Sequence, residues 1–111
     1  MDSKEAPPEI LSVEITHGTA KARLKGELSI NTVDTLKDDF FGLLNAHEIR
    51  LDLSDITDID SCGLQLLVIL HQQACLLDRR FTLTGTHPQL EQLLAIYQLT
   101  LPQAVPAEFA P

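Results

Sequence analysis

A short stretch near the middle of the 111-residue chain combines a carboxylate, a hydroxyl, a thiol and a glycine: Asp60-Ser61-Cys62-Gly63-Leu64. It stands between a predicted strand and a strongly apolar helical segment, so we expect Asp60 or Ser61 to cap that helix. Gly63 costs about 1 kcal/mol relative to alanine in a helix, which predicts that another backbone passes close to it. The stretch therefore predicts either a capped, tightly packed helix start or a site of modification.

A phosphate on Ser61 would meet free backbone N–H groups and the positive end of the helix dipole. It would also add roughly two negative charges to a stretch that is already acidic. Such a change alters the surface charge without unfolding the helix. It suits a switch that blocks a docking surface.

Four aspartates precede Ser61 within nine residues: Asp52, Asp55, Asp58 and Asp60. A calcium loop needs acids at alternate positions, a glycine at its sixth position and a glutamate at its twelfth, and this stretch fits none of these. We interpret the aspartates as a solvated loop that joins a strand to the next helix. A phosphoacceptor aspartate is not favoured, because no partner acids or lysine stand where one would need them.

The other reactive side chains do not form a catalytic or metal-binding pattern. The histidines are scattered, and His71 is expected at the edge of the core. Cys62 and Cys75 are thirteen positions apart, a spacing typical of neither zinc binding nor a disulfide framework. The chain has no nucleophile elbow and no phosphate-binding glycine loop. We therefore expect no enzyme activity, no metal and no cofactor.

The composition of the chain argues against several classes of binding partner. The chain is 44% hydrophobic and carries sixteen acidic against eight basic residues, for a net charge of −8. This composition predicts one domain with an ordinary core, and it makes nucleic acid and anionic membranes poor partners. No apolar run is long enough for membrane insertion, and the first eight residues lack the apolar core of a signal peptide. We expect a reduced, cytoplasmic compartment.

Hydrophobic periodicity predicts the elements that position Ser61. Apolar residues alternate in four segments, including Leu11, Val13 and Ile15 in the first, and they recur at helical spacing in three others. The resulting order is β-β-α-β-α-β-α, with helices over 31–46 (N-cap Asn31), 62–77 and the segment that starts near Pro88. We expect a flexible arm over 1–9, a domain over 10–101 and a Pro/Ala-rich tail over 102–111.

The alternation also predicts the number of layers. Strands covered on both faces are continuously apolar, whereas these four alternate. We therefore expect an α/β, two-layer fold, with a four-stranded mixed sheet and all helices packed on one face. The other face should be wet and carry Glu14, Lys21, Arg23, Lys25, Arg50, Asp52, Thr82 and Thr84.

Three segments resemble the STAS domain family, which includes anti-sigma factor antagonists. Asp60-Ser61-Cys62-Gly63-Leu64 resembles the family motif D-[ST]-x-G-[LVI]. Gly26-Glu27-Leu28 resembles the turn after its second strand, with Ser29 where Asp is common, and Leu51-Asp52-Leu53-Ser54 resembles its third strand. The resemblance runs from Ile10 to Leu101. The stretch 49–67 looks most like stand-alone bacterial members found with chemotaxis genes.

The resemblance implies a non-enzymatic regulatory switch. In antagonist members, a partner that is both serine kinase and anti-sigma factor phosphorylates the residue at the position of Ser61. The unmodified form binds that partner and so affects transcription, whereas the phosphorylated form does not. The implied partner-binding surface comprises Asp58, Ile59, Asp60, Ser61, Cys62 and Gly63 with Gly26, Glu27, Leu28 and Ser29. A chemotaxis signalling protein is a further implied partner.

This sequence also departs from the family pattern. Cys62 stands where a smaller residue is commoner and is expected to be a small buried thiol. The stretch Asp78-Arg79-Arg80 lacks the glycine that often ends the second helix, and the chain turns Pro/Ala-rich after Leu101, where many antagonists carry another helix. These departures weaken the assignment of a sigma-factor pathway more than that of the fold.

A second class of function stays open. Some STAS proteins are constitutive subunits that bind and stabilise the cytosolic ATPase of a lipid-transporting ABC complex. The ending Tyr97-Gln98-Leu99-Thr100-Leu101-Pro102 resembles those short members. The oligomeric state also stays open, since a second copy could cover the wet face of the sheet. A serine hydrolase that uses Ser61 is disfavoured, because no base accompanies it.

Overall fold

The computed structural model describes residues 11–103, and within them the predicted order of elements is confirmed. The predicted arm over 1–9 and most of the predicted tail lie outside the described residues. The elements are β1 (Leu11–Thr16), β2 (Thr19–Leu28), α1 (Val33–Gly42), a 3₁₀ turn (Leu43–Asn45), β3 (Glu48–Ile59), α2 (Ser61–Leu76), β4 (Arg80–Gly85) and α3 (Pro88–Tyr97).

The four strands form one sheet in the order β1-β2-β3-β4, with β1 antiparallel to β2 and the other neighbours parallel. One face of the sheet and the helices enclose a single apolar core, in which Leu51 and Leu67 have no exposed surface. On the other face, Lys21 and Arg50 are exposed. The predicted two-layer mixed α/β fold is confirmed.

The acidic stretch is not the predicted loop, because β3 runs through it to Ile59. The register against β2 shifts by one residue between Asp52 and Asp55 and again between Ile56 and Asp58. Each shift is a β-bulge, which places an extra residue in β3. As a result, Leu53, Ile56 and Ile59 are all buried despite their three-residue spacing.

The predicted turn at Gly26-Glu27-Leu28 is likewise the last part of a strand. These residues belong to β2 and pair with the end of β3. Gly26 has a φ of 86°, a backbone conformation that residues other than glycine rarely adopt. The glycine thus lets β2 follow the bulged end of β3.

The first long helix begins later and ends earlier than predicted. Thr32, not Asn31, is the residue before α1, and the last turn tightens to a 3₁₀ turn. The Thr32 hydroxyl donates to the Glu27 carbonyl over 2.9 Å and accepts from the Ser29 N–H over 3.0 Å. Thr32 therefore stabilises the turn that leads from β2 into the helix.

Strand β1 lies at one edge of the sheet and is only partly covered. Leu11 packs against the core, but Val13 is 44% exposed and Ile15 is 68% exposed. The alternation is as predicted, while the burial of these two side chains is not. A groove of about 310 Å³ separates β1 from Leu43 and Ala46.

At the opposite edge, the chain returns along β4 after α3. The Leu83 N–H donates to the Pro102 carbonyl over 2.8 Å, and Gln103 forms a parallel bridge with Leu83. Leu101 is buried in the core with 3% of its surface exposed. The segment 101–103 therefore covers the edge of β4.

Candidate functional site

The candidate site lies where the parallel strands end and the helices begin. Strands β2 and β3 end side by side, with Leu28 paired to Ile59. Helix α2 starts directly after β3, at Ser61, and Asp60 is the residue between the two. The fold therefore brings together the two segments that sequence analysis assigned to the site.

Asp60 connects three parts of this region. Its Oδ1 accepts a hydrogen bond from the Gly63 N–H over 3.0 Å, which caps α2 as predicted. Its Oδ2 accepts from the Ile30 N–H, also over 3.0 Å. Its own N–H donates to the Leu28 carbonyl over 3.3 Å. One carboxylate thus fixes the helix start to the turn after β2.

These bonds determine the charge of Asp60. Partial burial on its own would raise the pKa of the Asp60 carboxyl, but the N–H groups of Ile30 and Gly63 donate to the charged form. The pKa therefore lies below its usual value of 3.8. Asp60 carries a negative charge beside Ser61 throughout the neutral pH range.

Ser61 is the first residue of α2, and it is exposed. Within residues 11–103, its hydroxyl takes part in none of the side-chain hydrogen bonds of this region. Its backbone position is fixed by the Asp60 cap. The hydroxyl is therefore presented to solvent on a rigid helix start.

Cys62 and Gly63, the two residues after Ser61, differ in how deeply they are buried. Cys62 is half-buried, not the fully buried thiol that was expected, and Cys75 is exposed. Gly63 is buried, and a Cβ built on it would overlap the Leu28 carbonyl oxygen and lie 2.8 Å from the carbonyl carbon. The predicted close approach of another backbone at Gly63 is confirmed, and that backbone is the end of β2.

The turn after β2 is a compact network of hydrogen bonds. The Ser29 hydroxyl donates to the Glu27 carboxylate over 2.9 Å and accepts from the Asn31 N–H over 3.2 Å. Ser29, Leu28 and Ile59 are buried, so their side chains support this surface from below. Glu27 is half-buried and is available at the surface itself.

Helix α3 also contributes to the site, which was not evident from the sequence. The Gln89 side-chain amide donates to the Asp58 carboxylate over 2.9 Å and so ties the end of β3 to the start of α3. The His87 ring accepts from the Gln89 N–H over 3.2 Å and caps that helix. Pro88 marked the start of α3 in the sequence, but no local pattern indicated its contact with Asp58.

An apolar cleft of about 320 Å³ lies beside Ser61, between α2 and the end of α3. It is lined by Ser61, Cys62, Leu64, Gln65, Val68, Tyr97 and Leu99. Tyr97 is the last residue of α3, and half of its surface is exposed. The site therefore combines an acidic end of the sheet with an adjacent apolar cleft.

The acids at the site are not neutralised by nearby cations. Among residues 11–103, Asp52 and Asp55 form ion pairs with Arg23, whereas Asp58 and Asp60 form none. No group of three metal-ligating side chains comes together in the same part of the chain, and none of its helices is long and apolar enough to cross a membrane. The arrangement presents a hydroxyl flanked by negative charge.

Known proteins share this fold. A family model described as "Mlab, STAS domain" matches residues 11–101. Among curated protein sequences, none matches the chain.

Two sets of solved structures illustrate the likeness. An anti-sigma factor antagonist from Mycobacterium paratuberculosis is 18% identical, with a TM-score of 0.74 over 93% of this chain and 92% of that chain. The unphosphorylated anti-sigma factor antagonist SpoIIAA is 19% identical, with a TM-score of 0.68 over 88% of this chain and 90% of that chain. Phosphorylated SpoIIAA from Bacillus, also 19% identical, matches with a TM-score of 0.67 over 88% and 94%.

Proposed function

Since this chain belongs to the STAS domain family, we propose that it is a non-enzymatic protein-interaction switch of the anti-sigma factor antagonist type. In this proposal, unmodified Ser61 lies at the centre of a docking surface for a partner serine kinase. Phosphorylation of Ser61 by that partner releases it.

The observation that carries the proposal is the position of Ser61. Its hydroxyl is exposed, and its backbone is held by the Asp60 cap at the start of α2. A kinase needs a hydroxyl that it can reach without unfolding the substrate. The fixed helix start presents such a hydroxyl in one defined place.

The local charge supports release by phosphate. Asp58 and Asp60 have no cationic partner among the described residues, so a phosphate here adds to uncompensated negative charge. The added charge would therefore remain at the docking surface. There it would repel acidic groups of a bound partner and lose its hydration at the interface without compensation.

The backbone should change little on modification. A phosphate at the first residue of α2 would face the positive end of the helix dipole. SpoIIAA resembles this chain to the same degree in its unphosphorylated and phosphorylated forms, with TM-scores of 0.68 and 0.67. The helix dipole therefore favours a switch that acts through surface charge, and the two SpoIIAA matches are consistent with it.

The proposed partner surface uses the accessible members of the set derived from the resemblance. These are Glu27, Asp58, Asp60, Ser61 and Cys62, together with the adjacent apolar cleft. Gly26 is partly accessible, while Leu28, Ser29, Ile59 and Gly63 lie beneath the surface. A partner that fits must combine uncharged hydrogen-bond donors for these acids with an apolar side chain for the cleft.

The test compares Ser61→Ala and Ser61→Asp as baits in extracts of the native cells. We expect Ser61→Ala to retain a partner with a histidine-kinase-like ATPase fold. Ser61→Asp should bind it at least about tenfold more weakly, because an uncompensated interface charge costs roughly 2 kcal/mol or more. Gln72→Asp, on an exposed position of the same helix, controls for added charge.

Intact mass of the native protein provides a second measurement, since the proposal requires a phosphorylated population that Ser61→Ala lacks. Equal capture of the kinase by the alanine and aspartate variants would contradict the proposed switch.

A second candidate is a constitutive subunit of a transporter ATPase, and the apolar cleft favours it. Tyr97 and Leu99 line this cleft and are substantially exposed. Apolar surface of this kind is typical of a permanently occupied interface. This candidate predicts that a transporter ATPase co-purifies with the chain, and that the Ser61 variants capture it equally. A chemotaxis protein as the captured partner would assign the switch to that pathway.

A further inference from the structure

The outer edge of β1 offers a second interaction surface. Within residues 11–103, β1 pairs only with β2, and its outer backbone N–H and C=O groups face away from the sheet. The opposite edge, at β4, is covered by Pro102 and Gln103 of the same chain. An open edge is a ready template for pairing with another strand. The two edges of this sheet are therefore not equivalent.

The side chains of β1 also indicate a missing neighbour. Val13 and Ile15 are paired with Ala22 and Ala20, which are buried, so both point to the helix-covered face of the sheet. Nevertheless they are 44% and 68% exposed. The groove beside them is largely apolar and continues to Leu43. Apolar side chains on the core side of an open edge strand favour burial by an additional strand.

We propose that a second copy of this chain pairs with this edge, β1 against β1, in antiparallel orientation. A two-fold axis perpendicular to the sheet keeps the helices of both copies on the same side. The two four-stranded sheets then become one continuous sheet. Two-fold symmetry is the commonest arrangement of homodimers.

The sequence of β1 selects one register for this pairing. With the axis at Val13, Val13 faces Val13 of the second copy, and Leu11 faces Ile15. Ser12 then faces Glu14. With the axis at Glu14, two glutamates would oppose each other, which is unfavourable. With the axis at Ser12, Ile15 would have no apolar counterpart, because the opposing position in the other strand is that of Glu9.

Charges on the open face support the Val13 register. Glu14 is paired with Lys21 on its own copy, and Ser12 is paired with Arg23. Glu14 then has Lys21 of its own copy on one side and Ser12 of the other copy on the other side, with Arg23 of that copy one strand further on. Each glutamate therefore has a lysine beside it and an arginine two strands away. Neither copy places like charges directly across the seam.

The pairing does not depend on the proposed switch. Ser61 follows β3, which is separated from β1 by β2. The dimer thus leaves both Ser61 sites accessible, and it would persist if Ser61 were never modified.

Sedimentation equilibrium of the full chain tests the proposal, and a concentration-dependent dimer is expected. Ser12→Glu would place the new carboxylate opposite Glu14 of the other copy, at both of the symmetry-related positions. The like charges should weaken dimerisation about tenfold or more. Combining Ser12→Glu with Glu14→Ser restores the original pair at exchanged positions and should restore the dimer. Gln72→Glu, on exposed α2 surface, controls for net charge.

Cysteine crosslinking tests the register. Opposed residues of an antiparallel pair have Cα atoms about 4.5–5.5 Å apart, which suits a disulfide. Val13→Cys should therefore crosslink between copies, and mass spectrometry should find two identical peptides joined by a disulfide at the substituted position. Ile15→Cys should not crosslink in this way, because the two substituted positions would be about 14 Å apart.

A chain that stays monomeric at the highest attainable concentration would overturn the proposal. A dimer that Ser12→Glu leaves unchanged would also overturn it, since a different surface would then hold the copies together. Equal crosslinking at positions 13 and 15 would exclude the Val13 register.

Discussion

The Asp60 carboxylate explains how an exposed serine can be held rigidly. One oxygen caps α2 through Gly63, and the other binds the turn after β2 through Ile30. A neutral cap such as serine has a single oxygen and could make only one of these bonds. The acidic residue before Ser61 therefore has a structural role that is separate from any contact with a partner.

The charge of Asp60 predicts a pH-dependent contribution to stability. Its pKa in the folded chain lies below 3.8, so its contribution is complete above that value and decreases as the pH falls through the folded pKa. Asp60→Asn keeps one acceptor oxygen but loses the charge and the second acceptor. At neutral pH this variant should unfold with a free energy about 1 kcal/mol lower than the native chain.

Urea unfolding at several pH values measures this effect. The difference between the native chain and Asp60→Asn should stay constant from about pH 7 to about pH 5 and narrow below about pH 4. Asp60→Ala, which loses both acceptors, should be the less stable of the two variants at neutral pH. A difference that is unchanged in acid would show that the charge of Asp60 does not contribute.

The contacts that Asp60 and Gly63 make near the start of α2 were predictable from the sequence, but the contact of Asp60 with a residue distant in sequence was not. The order Asp-Ser-x-Gly indicated a helix cap and a close approach at Gly63, and both are confirmed. The bond from Ile30 to Asp60 joins residues thirty positions apart. It depends on the parallel pairing of β2 with β3, which fixes where the two strands end.

At the scale of the elements, the bulges of β3 explain the spacing of its acids. In a regular strand, residues three apart point to opposite faces. Asp52, Asp55 and Asp58 would then alternate between water and the core. One bulge between each pair keeps all three on the exposed side and returns Ile56 and Ile59 to the core.

Deleting a residue from the regular part of β3 should therefore do more damage than deleting the extra residue of a bulge. Deletion of Arg50 would turn Ile49 or Leu51 outward, so the free energy of unfolding should fall by several kcal/mol, roughly the cost of exposing large core side chains. Deletion of Asp55 leaves only Ser54 between Leu53 and Ile56, so both apolar side chains stay on the core face and the loss should be clearly smaller. Asp55→Ala keeps the register and should cost about 1 kcal/mol or less, since its ion pair with Arg23 is exposed. Thermal unfolding of the two deletion variants provides the comparison, and equal losses would contradict the role of the bulge.

The same bulges explain why sequence analysis ended β3 too early. The alternation of apolar and polar residues breaks at Asp55, and aspartates are uncommon in strands. The simplest interpretation was a loop. The other strands alternate without such an interruption on their predicted segments, although β2 also continues through its predicted turn to Leu28.

For the whole molecule, burial of Leu101 fixes the returning segment against the body of the fold. Its side chain belongs to the core, while Pro102 and Gln103 pair with β4. A Pro/Ala-rich composition gave no indication of this return. The predicted tail boundary at 102 stays a prediction, because the residues from 104 onward lie outside the described chain.

Leu101→Ala should lower the free energy of unfolding by about 2–5 kcal/mol, the usual range for a leucine removed from a core. Leu99→Ala is the matched control, because Leu99 is 40% exposed and lies only two residues away. Its effect should be clearly smaller. Chemical denaturation of both variants measures the difference, and similar losses would show that Leu101 is not an anchor.

The directions of the outer strands have a practical consequence for binding experiments. Strand β1 runs opposite to β2, so the chain enters Leu11 from the end of the sheet that carries Ser61. Gln103 is parallel to β4, so the chain leaves it toward that same end. Both ends of the described segment, Leu11 and Gln103, are therefore directed toward the candidate docking surface, so a label attached close to either of them would lie on that side. The turn at His17 and Gly18, at the opposite end of the sheet, is the better position for immobilising the protein.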